Sequence, residues 1–105
     1  MNKAIQDVIA ERKRQQAVEG WTPEHDDEHR SNELVSAAVE YAAHVVGRSW
    51  VFPTRPDTYT SEECSDGWPW DESCWKPKSP RQDLVRAAAL LIAEIERLDR
   101  AGEQQ

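Results

Sequence analysis

The last quarter of the chain constrains the fold most, because it has the pattern of one long amphipathic helix. Ser79, Pro80 and Gln82 form a helix start, with serine as N-cap, proline in the first turn and glutamine at the capping-box position. An apolar stripe then repeats at spacings of four, three, four and three residues: Leu84, Ala88, Leu91, Ile95 and Leu98. This heptad-like stripe predicts packing on another helix or on a second subunit.

Two further helices are predicted upstream, and together the three give an all-α fold. The first covers about residues 2–18, where one apolar face repeats at helical spacing before Gly20: Ala4, Ile5, Val8 and Ile9. The second begins at Thr22-Pro23 or at Ser31, the two N-cap candidates, and ends at Gly47. Its apolar stripe is Leu34, Ala38, Tyr41 and Val45. We predict a small bundle of about three main helices in a single domain, residues 1–105.

A Trp- and Pro-rich insert over about residues 48–79 separates the second helix from the last one. It has no clear helical period, and SWVF at 49–52 is its only candidate strand or extended segment. The insert holds four of the five Trp and four of the six Pro residues of the chain. Because disordered segments are poor in aromatic residues, we expect this loop to fold onto the helices.

Composition limits the classes of partner. The chain of 105 residues has a net charge of −7, which argues against general nucleic-acid binding. No apolar run is long enough to cross a bilayer, and residues 1–16 lack a signal peptide, so we expect a cytoplasmic protein with reduced cysteines and no membrane partner. Because the chain is short and its last helix carries a long apolar stripe, we expect a homo-oligomer, most simply a dimer.

The segment EGWTPEHDDEH at 19–29 is the first candidate site. His25 and His29 are four residues apart, so in a helix they share a face near the carboxylates of Asp26 and Asp27. The same residues equally suit a capped, acidic first turn that faces solvent. Nine residues separate Cys64 from Cys74, whereas the cysteine pairs of structural zinc sites lie two to four residues apart. Metal binding therefore stays open, and the sequence identifies no cofactor.

The segment WPWDESCWKPKSPR at 68–81 is the second candidate site. It brings three tryptophans close to three basic residues: Trp68, Trp70, Trp75, Lys76, Lys78 and Arg81. Aromatic faces stack on bases, cationic side chains bind phosphates, and the helix start at Pro80 adds backbone N–H groups. The alternative is that the tryptophans form a small core over the bundle.

The motifs EGWTPEHDD, WPW, WKP and RQDLVRAAALLIAEIERLDR resemble a family of small, largely uncharacterised phage and prophage proteins. The resemblance covers most of the chain and implies a phage setting. The first half, with its Gly20-Trp21 corner and His29, is also similar to ryanodine-receptor repeat domains. Those domains are implicated in ligand and nucleotide recognition, but the Trp-rich insert and the long last helix depart from their pattern.

The leading functional hypothesis is a non-enzymatic, phage-type nucleotide-binding protein that sequesters a linear or cyclic nucleotide signal of host defence. Tryptophans would contact the base, basic residues the phosphates, and the acidic segment the ribose hydroxyls. The predicted ligand-binding residues are Trp21, His25, Asp26, Asp27, Trp68, Trp70, Trp75, Lys76, Lys78 and Arg81.

Two alternatives remain open at this point. The first is a magnesium-dependent nucleotide pyrophosphohydrolase resembling MazG-like all-α NTP pyrophosphatases, which hold magnesium with carboxylates on two helices. The EExxE and ExxD patterns of those enzymes are absent, and EHDDE is a loose substitute. The second is a protein-binding module that engages a host factor through exposed aromatic residues.

Overall fold

The computed structural model describes residues 2–20, 24–25, 32–47 and 56–102, and these residues form helices and loops without a strand. Three helices are long: α1 at Lys3–Ala17, α2 at Glu33–Gly47 and α4 at Pro80–Arg100. Within the insert lie the short helix α3 at Pro56–Ser61 and a 3₁₀ turn at Glu72–Cys74. The predicted all-α fold is therefore confirmed. Both N-cap candidates of the second helix, and the SWVF segment, lie outside the described residues.

The core forms where α2 packs on α4. The predicted apolar stripe of α2 is buried, since Leu34, Ala38, Tyr41 and Val45 are each exposed by 8% or less. From α4 the core takes Ala87, Leu90 and Ala93, and from the insert it takes Trp68. The prediction that the insert folds onto the helices is thus confirmed for its described part.

The apolar stripe predicted for α4 is not the face that α4 buries within the chain. Leu84, Leu91 and Ile95 remain 46%, 44% and 53% exposed. The buried face carries other residues: Asp83, Ala87, Ala89, Leu90, Ala93 and Glu94. The sequence predicts that the stripe packs either on another helix or on a second subunit. For these three side chains, packing on a helix of the same chain is wrong within the described residues. A second subunit stays a prediction.

The apolar side predicted for α1 also differs from its buried side. Ile5 and Ile9 are exposed, whereas the polar residues Arg12 and Gln15 are buried where α1 packs on α4. Arg12 Nε donates to Glu96 Oε1 of α4 at 3.0 Å, which compensates the buried guanidinium charge. Long polar side chains can cover a helix surface with their aliphatic stems, so apolar periodicity alone did not identify the contact face.

A buried carboxylate fastens the insert to the bundle. Asp83 is fully buried near the start of α4. Its Oδ2 accepts a hydrogen bond from the Tyr59 hydroxyl of α3 at 2.5 Å, and its Oδ1 accepts one from the backbone N–H of Lys78 at 3.1 Å. One side chain of α4 therefore holds both α3 and the segment that leads into α4.

We expect Tyr59→Phe to lower the free energy of unfolding by about 1.5–3 kcal/mol, because it removes a hydrogen bond to a buried carboxylate. Asp83→Asn should also lower the free energy of unfolding, because the asparagine amide replaces one of the two accepting oxygens by an NH₂ group, which can only donate. Urea denaturation followed by circular dichroism measures both effects. The control Asp99→Asn makes the same change at an exposed position of α4. Equal losses of unfolding free energy in Asp83→Asn and Asp99→Asn would contradict the role assigned to Asp83.

A candidate anion-binding cleft

A cleft lies between α1, the first turns of α4 and the segment that precedes α4. It consists of two adjoining cavities, an outer one of about 430 Å³ and an inner one of about 120 Å³. Both cavities are lined by Glu11, Arg14, Lys78 and Arg86. The outer cavity adds Asp7, Ala10, Arg81, Gln82 and Val85; the inner one adds Gln15, Glu19, Tyr41, Cys74, Lys76 and Leu90. The outer cavity has the size of an ordinary small-molecule site.

The cleft gathers positive charge in a chain that is acidic as a whole. The chain has 20 acidic and 13 basic residues, but the cleft lining has more cations than carboxylates. The cations are Arg14, Lys76, Lys78, Arg81 and Arg86, and the carboxylates are Asp7, Glu11 and Glu19. Because cations outnumber carboxylates five to three in this concave lining, the local charge favours a small anion.

Three of the cations, Arg14, Arg81 and Arg86, are already paired with carboxylates, and the partner of Arg86 is the buried Asp83. Arg14 donates to Glu11 from two of its three guanidinium nitrogens, Nε at 2.7 Å and Nη2 at 2.8 Å. This contact raises the pKa of Arg14. Arg81 Nη1 lies 2.9 Å from Asp7 Oδ2. Hydrogen bonds from Lys3 and from Arg81 hold the pKa of Asp7 below its usual value. An incoming anion would therefore have to compete with Glu11 for Arg14 and with Asp7 for Arg81.

Lys76 and Lys78 are the cations without such competition. Both side chains are exposed, and neither ammonium group forms an ion pair within the part of the chain that the structure describes. Their backbone is nevertheless fixed. Asp83 accepts from the N–H of Lys78, and Arg86 Nη1 donates to the carbonyl oxygen of Lys76. The two ammonium groups thus extend from an anchored segment.

Arg86 connects the cleft to the core. Its Nη1 lies 3.4 Å from the Tyr41 hydroxyl and 3.7 Å from Asp83 Oδ1, and its guanidinium group stands 5.5 Å from the centre of the Tyr41 ring. Burial raises the pKa of the Tyr41 hydroxyl above its ordinary value. With these contacts, Arg86 acts first as a structural cation that positions the Lys76 segment.

The described tryptophans form an aromatic cluster with Tyr41. Trp75 stacks on Tyr41 with ring centres 4.9 Å apart, and Trp68 meets Trp75 edge-on at 5.0 Å and Trp70 edge-on at 5.6 Å. The indole N–H of Trp68 donates to the carbonyl of Asp71, and that of Trp75 donates to the carbonyl of Glu62, both at 3.0 Å. Trp68 and Trp75 thereby take the arrangement of the small core that the sequence offered as an alternative.

The predicted ligand-binding residues fall into three groups in the structure. Lys76, Lys78 and Arg81 meet at the cationic cleft, whose described lining contains no tryptophan. Trp75 instead borders two other cavities, of about 230 and 260 Å³, beside Glu62 and Glu63. His25 is half-buried, while Trp21, Asp26 and Asp27 lie outside the described residues, as does His29. A base-binding role for the tryptophans and a ribose-binding role for the acidic segment stay predictions.

A metal site receives no support from the described residues. They contain no group of three or more His, Cys, Asp or Glu side chains arranged to hold a metal ion. Cys64 and Cys74 are both free thiols. Most of EHDDEH lies outside the described ranges. Its two interpretations, a metal site and an acidic helix start, both stay predictions.

Sequence reasoning missed the part of the cleft that comes from helix interiors. Arg14 and Gln15 belong to the polar run ERKRQQ, which suggests a solvated helix end, and Arg86 follows the helix start by two turns. The only available signal was the density of basic residues on both helices. Their convergence depends on how α1 crosses α4.

No family model matches the chain, and no curated protein or solved structure matches it. Among the described residues, no helix is long and apolar enough to cross a membrane.

Cys74 offers a direct test of the charge in the cleft, because this exposed thiol lines the inner cavity. We expect a dianionic disulfide reagent, dithiobis-nitrobenzoate, to react with Cys74 roughly tenfold more slowly at high salt than at low salt, since salt screens its attraction to the cations. Neutral dithiodipyridine should show little salt dependence. Stopped-flow absorbance measures both rates in the Cys64→Ser variant.

Cys64 is the matched control for this measurement. It lies in a cavity with Glu62, Glu63 and Glu72, and burial together with Glu72 raises the pKa of its thiol. In the Cys74→Ser variant, salt should leave the reaction of Cys64 with the dianion unchanged or accelerate it. The same salt response at both cysteines would contradict a cationic cleft.

Proposed function

We propose that this chain is a non-enzymatic binding protein for a nucleotide-like small molecule, with the phosphate groups held in the cationic cleft. The observation that carries the proposal is the anchored pair of lysines, Lys76 and Lys78, whose ammonium groups have no ion-pair partner among the described residues. Lysine and arginine side chains form strong charge-assisted hydrogen bonds with phosphate oxygens. Arg81, Arg14 and Arg86 add positive charge around the same space.

The proposed biological setting comes from the resemblance to phage and prophage proteins. In that setting, the protein would sequester a linear or cyclic nucleotide signal in the cytoplasm of the host cell. A binder of this kind gains from being acidic overall, because long nucleic acids are repelled while a small anion still reaches the cleft.

We expect Lys76→Gln and Lys78→Gln each to weaken binding of a nucleoside triphosphate by about tenfold, because each removes one charge-assisted contact with phosphate. Both substitutions should also reduce the dependence of affinity on salt. Titration calorimetry against a panel of linear and cyclic nucleotides measures the effect. Lys13→Gln is the matched control, since Lys13 is exposed on α1 and lines neither cavity.

The same titrations separate this proposal from its alternatives. Unchanged affinity in both lysine variants would contradict phosphate binding in the cleft, and an absence of heat with every nucleotide would contradict nucleotide binding altogether. Chromatography of the ligand recovered after heat denaturation should return the intact nucleotide. A monophosphate product that forms only with magnesium would support the MazG-like pyrophosphohydrolase instead.

We also propose that two copies of the chain associate through the exposed apolar stripe of α4. Leu84, Leu91 and Ile95 lie on this stripe, and the intrachain core uses a different face of the same helix. In the full stripe from Leu84 to Leu98, apolar residues alternate at spacings of four and three. This pattern places side chains in the seam between two parallel or antiparallel helices. Burying this stripe in a dimer would remove a continuous row of large apolar side chains from water.

We expect light scattering at micromolar concentration to report twice the 12.0 kDa chain mass. Leu91→Glu should convert the dimer to a monomer, because it would bury a carboxylate in an apolar seam. Val39→Glu is the matched control, since Val39 is similarly exposed but lies on α2. A wild-type mass of one chain, or dissociation by both substitutions alike, would overturn the proposed interface.

A further inference from the structure

Gln15, which lines the inner cavity, has a buried hydrogen-bond acceptor that the described part of the chain leaves unsatisfied. Gln15 is 1% exposed, and its Oε1 has no hydrogen-bond partner in the described part of the chain. Its Nε2 donates to Glu11 Oε2 at 3.3 Å, and because a carboxylate only accepts, this contact fixes which end of the amide is the oxygen. Buried acceptors are normally paired, so Oε1 points to a missing donor.

The surroundings of Gln15 restrict the chemistry of that donor. The inner cavity is lined by Arg14, Lys76, Lys78 and Arg86, which attract an anion and repel an ammonium group. The oxygens of a fully ionised phosphate group bind these cations but carry no proton, so they cannot satisfy a carbonyl acceptor. The ligand therefore needs a neutral N–H or O–H group close to its phosphate.

A sugar hydroxyl fits this place better than a base. Tyr41 is the aromatic residue that lines the inner cavity, and its ring contacts Trp75 in a stack at 4.9 Å and the Arg86 guanidinium group at 5.5 Å. Tyr41 is only 4% exposed, so no aromatic face among the described lining residues is open for base stacking. A cavity of about 120 Å³ with polar walls suits a small hydroxylated group beside the phosphate.

We propose that the cleft recognises the sugar-phosphate part of its ligand, with Gln15 Oε1 accepting a hydrogen bond from a sugar hydroxyl. This inference rests on the proposed function and specifies its ligand class, since it makes recognition depend on the sugar and phosphate more than on the base. Gln15 is then a specificity-determining residue that rejects phosphate compounds without a hydroxyl.

The experiment compares two phosphate monoesters, ribose phosphate and pentyl phosphate, which share the charged group but differ in their hydroxyls. By titration calorimetry, wild-type protein should bind ribose phosphate about five- to tenfold more tightly, the value of one neutral hydrogen bond. In Gln15→Met, which keeps the side-chain length, this ratio should fall to near one, with pentyl phosphate binding unchanged. The control Gln16→Met changes a residue that lines neither cavity and should keep the ratio.

Stability measurements guard against a trivial loss of folding. Gln15→Met removes the long Nε2–Glu11 contact together with the unsatisfied Oε1, so the melting temperatures of the free variant and the wild type are compared first. The wild-type ratio is decisive even if this variant fails to fold. Equal affinities for the two esters in the wild type, or a preserved preference in a folded Gln15→Met, would overturn the sugar assignment alone. Absence of binding of either ester would overturn the phosphate site and the proposed function with it.

Discussion

The buried carboxylate of Asp83 is the contact on which the arrangement of the insert depends. Its two oxygens accept from the Tyr59 hydroxyl and from the Lys78 backbone, so α3 and the segment before α4 are held by one group. Arg86 lies one turn later on α4 and donates to the carbonyl of Lys76. Because both residues belong to one helix, the position of the lysine pair relative to α1 is set as soon as α4 packs.

The elements of the fold could be predicted because they follow from local rules. Ser79 Oγ accepts from the Gln82 N–H at 3.2 Å, as the capping pattern predicts, and the α2 stripe is buried as its period predicts. The choice of packing faces could not be predicted. On α4 two apolar faces compete, and on α1 the ion pair between buried Arg12 and half-exposed Glu96 replaces the predicted contact of Ile5 and Ile9.

The residues of the candidate site also divide into those that the sequence identified and those that depend on helix packing. Lys76, Lys78 and Arg81 are neighbours in sequence, so one motif identified them together. Arg14 and Gln15 reach the same cleft from a helix more than sixty residues away, and their position depends on the crossing of α1 over α4. For the tryptophans, the sequence left core and ligand roles open, because both need clustered aromatic rings. The stacking of Trp75 on Tyr41 shows the core arrangement, and this contact between distant residues could not be read from the sequence.

The paired and unpaired cations of the cleft have different consequences for selectivity. Arg14 and Arg81 are neutralised by Glu11 and Asp7 in the free protein, so a weakly charged anion gains little by displacing those carboxylates. Hydrogen bonds from Lys3 and Arg81 lower the pKa of Asp7, so this competition persists to a lower pH than it would with an ordinary aspartate. A ligand with several phosphate charges can bind both lysines and also compete for the arginines. In the proposed binding mode, the carboxylates would therefore act as a filter that favours compact, multiply charged anions over chloride or isolated carboxylates, while the acidic remainder of the surface would disfavour long polyanions.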